Sequence, residues 1–198
     1  MNFFVSRGAR AAKCALVLAA TLSLGACGIG PKGSAPAGTW DFGPPAANAP
    51  PLRIKALAAL EVVAPRWLDS TNAYYRLGYA SAAQSMAYSQ TRWVMPPGLL
   101  IDARIRERLV AGGAVLGGTG PMLKLELDEF AQWFDSEKVS RGVLRARATL
   151  WSGHEILRQR QFVVDEPAAT PDGPGGAAAL TRGADRLVDS VLDWAAGN

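Results

Sequence analysis

A basic start, Arg7, Arg10 and Lys13, is followed by the apolar run Cys14 to Leu24, which stops at Leu24-Gly25-Ala26-Cys27. This feature decides how much of the chain is free to fold. A positive n-region, a short apolar core and small residues before a cut make a secretory signal. The run is shorter than the ~20 residues that span a bilayer. An uncleaved anchor helix is the competing reading, and the break at Gly25-Ala26-Cys27-Gly28 disfavours it.

Leu24, Ala26 and Cys27 resemble the lipobox of bacterial lipoproteins, with Gly25 a less usual residue between them. The resemblance implies cleavage before Cys27 and lipid on its new N-terminus. Gly28 follows, where an Asp would imply retention at the inner membrane, so outer-membrane sorting is expected. Cleavage removes three basic residues and no acidic one, leaving 18 basic against 17 acidic residues. The mature chain is near neutral, and a nucleic-acid partner, which needs a basic face, is not expected. Cys14 leaves with the signal and Cys27 carries lipid, so no thiol remains for a disulfide, a metal or a nucleophile. The 172 residues that remain suffice for one domain stabilised by a packed core.

Three segments are expected: a signal at 1–26, a lipidated Gly/Pro-rich tether at 27–51 and a single domain at 52–198. Gly28 to Gly38, Pro44-Pro45 and Pro50-Pro51 hold neither a helix nor a central strand. Trp40-Asp41-Phe42-Gly43 interrupts the tether and reads as a short strand or a clip onto the domain.

Within the domain, Leu52 to Ala64 alternates apolar and polar residues as a strand does, and Pro65 ends it. Strands are expected at Ala73 to Tyr79 and Ala87 to Val94. Tyr74, Tyr75, Tyr79 and Tyr88 gather there, as half-buried packing residues or as an aromatic ligand platform. Met95-Pro96-Pro97-Gly98 opens an amphipathic helix over Leu99 to Val110. Its stripe is Ile101, Ile105 and Leu109, with Arg104, Arg106, Glu107 and Arg108 mostly away from it. Acidic residues dilute the charge of this helix, so a sheet-packing role is favoured over a membrane-surface one.

The run Gly112 to Gly120 lacks the Lys of a phosphate loop and sits between a helix and a strand, the wrong context for a dinucleotide loop. It reads as a helix C-cap, a short strand over Ala114 to Leu116 and a turn. Met122 to Phe134, Val139 to Trp151 and Glu155 to Val164 form a meander with one solvated face. On the first of these strands, Leu123, Leu125, Leu127, Ala131 and Trp133 are expected on one face. Lys124, Glu126, Asp128 and Gln132 are expected on the other, with Glu126 and Asp128 facing Arg145 and Arg147. Asp165 to Gly176 reads as a loop, and Ala177 to Ala196 as a helix. There Arg182 and Arg186 can pair with Asp185 and Asp189, and Gly183 marks close approach to the sheet. The order β-β-β-α-β-β-β-α argues an α+β fold: an antiparallel sheet of about six strands with two amphipathic helices on one face.

Catalytic chemistry is not expected. His154, the one histidine, falls in a hairpin turn, and Ser152 and Glu155 beside it do not make a triad. The carboxylates Glu126, Asp128 and Glu129 suit an exposed strand face better than glycoside chemistry. No catalytic residue, cofactor or metal site is assigned.

Several segments in order resemble one family. They are Trp40-Asp41-Phe42-Gly43, Trp67-Leu68-Asp69 with Tyr74-Tyr75-Arg76-Leu77, Arg92-Trp93-Val94-Met95-Pro96-Pro97, and the strand Leu123 to Phe130. With the lipobox, they resemble the auxiliary lipoproteins of ABC-type transport systems that work with MCE-domain proteins in Gram-negative envelopes. The resemblance implies a non-catalytic subunit, held at the outer membrane by lipid on Cys27 and facing the periplasm. Its implied partners are an MCE-domain protein, an ABC permease and an ATPase; a homo-oligomer is also open. The implied cargo is phospholipid or another hydrophobic molecule. Trp67, Tyr75, Arg76, Trp93 and Pro97 are candidate docking residues, with supporting core as the alternative for the aromatics. An outer-membrane assembly lipoprotein and a stand-alone lipid-binding module are the rival functions.

Overall fold

The alternating and amphipathic segments fold as one unit, Ala37–Asn198, in a computed structural model that describes residues 38–45 and 51–197. In chain order the elements are β1 (Gly38–Trp40), β2 (Ala56–Leu57), β3 (Ala59–Val63), a 3-10 turn at Arg66–Leu68 and β4 (Asn72–Leu77). The one-turn helix α1 (Gly78–Ser81), β5 (Ala82–Trp93), α2 (Pro97–Ala111) and β6 (Val115–Leu116) follow. The chain closes with β7 (Met122–Ser136), β8 (Val139–Ser152), β9 (Glu155–Pro167) and α3 (Gly173–Ala195).

The fold is α+β, but the sheet is mixed rather than antiparallel. Seven strands run β1-β5-β4-β7-β8-β9, with β3 also paired to β7, and β2 and β6 form a separate two-stranded ladder. The expected meander β7-β8-β9 is antiparallel throughout. The first strands depart from expectation. β3 lies parallel to Met122–Glu126 of β7, and β4 lies parallel to Gln132–Phe134 of the same strand. Parallel neighbours need a long crossover. The chain between β3 and β7, with the β4–β5 pair and α2, supplies it. The single strand expected over 52–64 is split at Ala58, whose N–H turns to the Pro121 carbonyl. β2 then pairs with β6, and β3 with β7.

A bulge in β7 corrects the expected faces. Leu127 pairs with Ala146 and Glu129 with Arg145, so Asp128 is an extra residue. Strand side chains alternate with a period of two, so one extra residue exchanges the faces of everything after it. Leu123, Leu125 and Leu127 are therefore followed on the helix-covered side by Phe130, Gln132 and Phe134. Ala131 and Trp133 move to the open side, with Glu129.

The first turn of α3 corrects another boundary. The helix begins at Gly173, inside the expected loop, with Asp172 as its N-cap accepting from the Gly175 N–H at 2.8 Å. A Cβ on Gly173 would run into the Thr91 side chain, and one on Gly176 into Gln132. The glycines that read as a loop are there because the helix starts pressed against the sheet. Gly183 meets Leu144, as its position suggested. Gly142 of β8 answers from the sheet, where a Cβ would sit 2.8 Å from the Leu180 N.

α2 and α3 are joined by ion pairs rather than by apolar contact alone. Arg104 and Arg108, expected to lie mostly away from the apolar stripe, are only 4% and 6% exposed. Arg104 faces Asp185 at 3.4 Å and Arg108 faces Asp189 at 2.7 Å. The pairing expected within α3 is thus replaced by pairing between elements. Arg182 and Arg186 turn instead to Glu166 of β9, at 3.8 and 2.6 Å.

The segment Trp40-Asp41-Phe42-Gly43 is both short strand and clip. β1 pairs parallel with Thr91–Trp93 at the end of β5. Phe42 then enters the core against Trp93 and Phe130, with ring centroids 5.9 and 6.1 Å away. Arg104 donates to the Phe42 and Gly43 carbonyls at 2.7 and 2.8 Å. Burying a Phe side chain stabilises by roughly 1.5–3 kcal/mol.

Candidate docking surface

Beyond the bulge, the open face of the sheet carries an aromatic–arginine stack. β4 lies parallel to β7 with Arg76 opposite Trp133. The 3-10 turn before β4 brings Trp67 over the same side, edge-on to Tyr74 at 5.3 Å. The Arg76 guanidinium lies 5.6 Å from the Trp67 ring centroid and 5.7 Å from that of Trp133. The guanidinium of Arg145, from β8, lies 5.6 Å from the Trp133 ring centroid.

The charge of Arg76 is balanced from below. Its Nε donates to Glu129 Oε1 at 3.2 Å, and its Nη2 lies 3.1 Å from Oε2, a two-pronged pair. Nη1 donates to the Ala82 and Ala83 carbonyls at 3.4 and 3.3 Å. Every nitrogen of Arg76 is thus engaged, and Glu129 is buried beneath it. Trp133 Nε1 is buried and makes no hydrogen bond among the described residues. Arg145 is exposed. Farther along the face Arg147 pairs with Glu126 at 3.2 Å, as the sequence suggested. Arg145 pairs in register with Glu129, not with Asp128.

Of the five residues singled out from sequence, Trp67 and Arg76 come together in this stack. Tyr75 points to the other side of β4, 4.6 Å from Tyr88 and 6.0 Å from Phe134. There Tyr88 donates to Gln132 Oε1 at 2.7 Å, and Gln132 donates to Ser140 Oγ at 2.8 Å. Burial, and then Tyr75 and Asp172, push the Tyr88 phenol above its ordinary range. Trp93 is 2% exposed in the Phe42–Phe130 cluster. Pro97 is buried at the start of α2. Cys27 lies outside the described residues. Trp133, Glu129 and Arg145 were missed as site residues. Two adjacent acids, Asp128-Glu129, followed by Phe130 are the signal that could have found them. Unbroken alternation would have put Phe130 in water.

The stack combines two half-buried tryptophan rings and the paired Arg76 with the exposed cation of Arg145. No cluster of three or more His, Cys, Asp or Glu able to hold a metal occurs among the described residues. A cleft of about 340 Å³ is lined by Pro51 and Leu52 together with the charged Arg53, Arg108, Asp189 and Asp193. No helix of the described residues is long and apolar enough to cross a membrane.

These features define a two-layer α+β domain: helices over one face of a mixed sheet, the other face open. The same fold occurs in the crystal structure of protein XCC0632 from Xanthomonas campestris, of the DUF330 family. That structure is 17% identical with a TM-score of 0.65, over 77% of this chain and 89% of that one. A second crystal structure, of an uncharacterized protein, is 13% identical with a TM-score of 0.60, over 80% and 97% of the two chains. No curated protein matches the sequence. The chain belongs to the ABC-type transport auxiliary lipoprotein component family, whose model matches residues 42–191. The match begins at Phe42, the first core residue of the clip.

Proposed function

We propose that the protein is a non-catalytic, lipid-anchored auxiliary subunit of an ABC-type transport system. It works beside an MCE-domain protein, a permease and an ATPase to move phospholipid or another hydrophobic molecule across the Gram-negative envelope. Residues 1–26 direct export and are removed, Cys27 carries the lipid at the outer membrane, and the domain faces the periplasm. The family match over residues 42–191 carries this reading; the sequence Leu24-Gly25-Ala26-Cys27 supports the anchor. The Trp67–Arg76–Trp133–Arg145 stack is the docking face for the periplasmic partner.

A pull-down of the tagged protein from detergent-solubilised envelopes tests the proposal. Recovery of an ATPase, a permease and an MCE-domain protein is expected, and Arg145→Glu, at an exposed position, should weaken it without unfolding the domain. Recovery of an outer-membrane β-barrel with none of the three would overturn it.

A further inference from the structure

The chain enters the fold at Gly38, and beyond Trp40 the end of the sheet carries an apolar surface, with the exposed Asp41 at its edge. β1 ends beside β5, where the Val94 N–H donates to the Trp40 carbonyl at 2.8 Å. From that point the chain runs Val94-Met95-Pro96-Pro97-Gly98-Leu99-Leu100-Ile101 with no charged residue. Val94, Met95 and Leu99 stand exposed, Leu99 at 56%. The end of β3 joins them: a Cβ on Gly98 would sit 3.2 Å from Ala64 Cβ, and the exposed Val63 adjoins Ala64. Val62-Val63-Ala64-Pro65 is also without charge.

What covers this rim follows from the length of chain before it. Gly38 opens β1 eleven residues after Cys27. Fully extended, that span reaches at most about 39 Å, and as a flexible coil about 18 Å. A lipid on Cys27 therefore keeps the domain within that reach of the bilayer it is inserted in, and the apolar rim, two residues beyond Gly38 with the exposed Asp41 at its edge, is a nearby surface whose burial there is favourable. We infer that the rim formed by Val63, Val94, Met95 and Leu99 rests on the lipid surface that holds the anchor. The domain then presents a fixed end to the membrane, and its orientation is set by two attachments rather than one. This rests on the anchoring at Cys27 proposed above.

The test uses the full lipoprotein in vesicles of phosphatidylethanolamine and phosphatidylglycerol doped with nitroxide-labelled lipid. With Cys27 blocked by its own lipid, a fluorophore can be placed at a single new thiol. Leu99→Cys and Met95→Cys are compared with Val110→Cys, which is 78% exposed on the same helix and about 16 Å farther along it. Quenching several-fold stronger at Leu99→Cys and Met95→Cys than at Val110→Cys is expected. Equal quenching in protein that floats with the vesicles overturns the inference and leaves the anchor standing. So does shielding of Leu99→Cys that requires addition of the transporter partners. Protein that fails to float, with no lipid mass on Cys27, removes the anchoring and this inference together.

Discussion

Arg76 and Gly142 show how far single residues govern this fold. Arg76 engages Glu129 under the two tryptophans, and both side chains are largely buried. Arg76→Ala leaves Glu129 as a buried charge without its partner, a change that costs about 3–5 kcal/mol. Urea denaturation followed by circular dichroism should show that loss. Arg145→Ala, at an exposed position, should shift stability by no more than about 0.5 kcal/mol. Equal effects from the two would show that the buried and the exposed arginine do not differ in what they support. The glycines divide in the same way. Gly142→Ala forces a methyl to within 3 Å of the Leu180 and Ala179 backbone of α3, an overpacking worth about 1–3 kcal/mol. Gly118→Ala meets nothing nearer than Val115 Cγ1 at 3.5 Å and should be neutral or stabilising by up to about 1 kcal/mol, by restricting the unfolded chain. Thermal melts of the two variants should move in different directions or by very different amounts.

Among the elements, β7 sets the register of the sheet and its bulge chooses which residues face out. Deleting Asp128 would turn Phe130, Gln132 and Phe134 to the open side or slip the strand against β8. The deletion variant should lose its cooperative urea transition and its dispersed amide spectrum. Asp128→Ala, which keeps the extra residue, should retain both. A deletion variant with the wild-type midpoint would show that the bulge does not hold the register.

The α2–α3 contact has a pH dependence of its own. Burial pushes the Asp185 carboxyl up from its ordinary value; Arg104 pulls it down, and Asp189 and Glu107 push it up again. A carboxyl raised on folding binds its proton more readily in the folded state, so this group favours folding as pH falls through the window just above its ordinary value. Asp185→Asn lacks that gain. Between about pH 6 and pH 4 it should lose stability relative to the wild type, measured as the difference in urea midpoints. A constant difference would contradict the sign.

For the whole molecule, the proposed anchor predicts localisation rather than stability. Cys27→Ser should leave the α+β domain folded, since its core begins at Phe42, while abolishing lipid attachment. Envelope fractionation should find the variant unprocessed or out of the outer membrane. A variant still processed and outer-membrane-bound would overturn the anchoring. With β1 at Gly38–Trp40 and Phe42 in the core, the folded unit reaches into the segment that composition marks as tether.

Much was legible in the sequence because it depends on local chemistry. The alternation of β7, β8 and β9, the Trp40–Gly43 clip, the close approach at Gly183 and the amphipathic helices are all written in residue spacing. The family is legible in the ordered short segments from Trp40 to Phe130. What tertiary structure decided is pairing. Hydrogen bonds between strands carry no sequence label, so the parallel placement of β3 and β4 along β7 could not be read from either segment. The adjacent acids before Phe130 hint at a break in alternation, but Asp128 is fixed as the extra residue only when β8 lies alongside. With the parallel β4 beside it, the bulge brings Trp133 and Glu129 to Arg76 and sends Gln132 to the core. Buried arginines follow the same logic: Arg104 and Arg108 read as solvent-facing until α3 supplies Asp185 and Asp189 to make their burial tolerable.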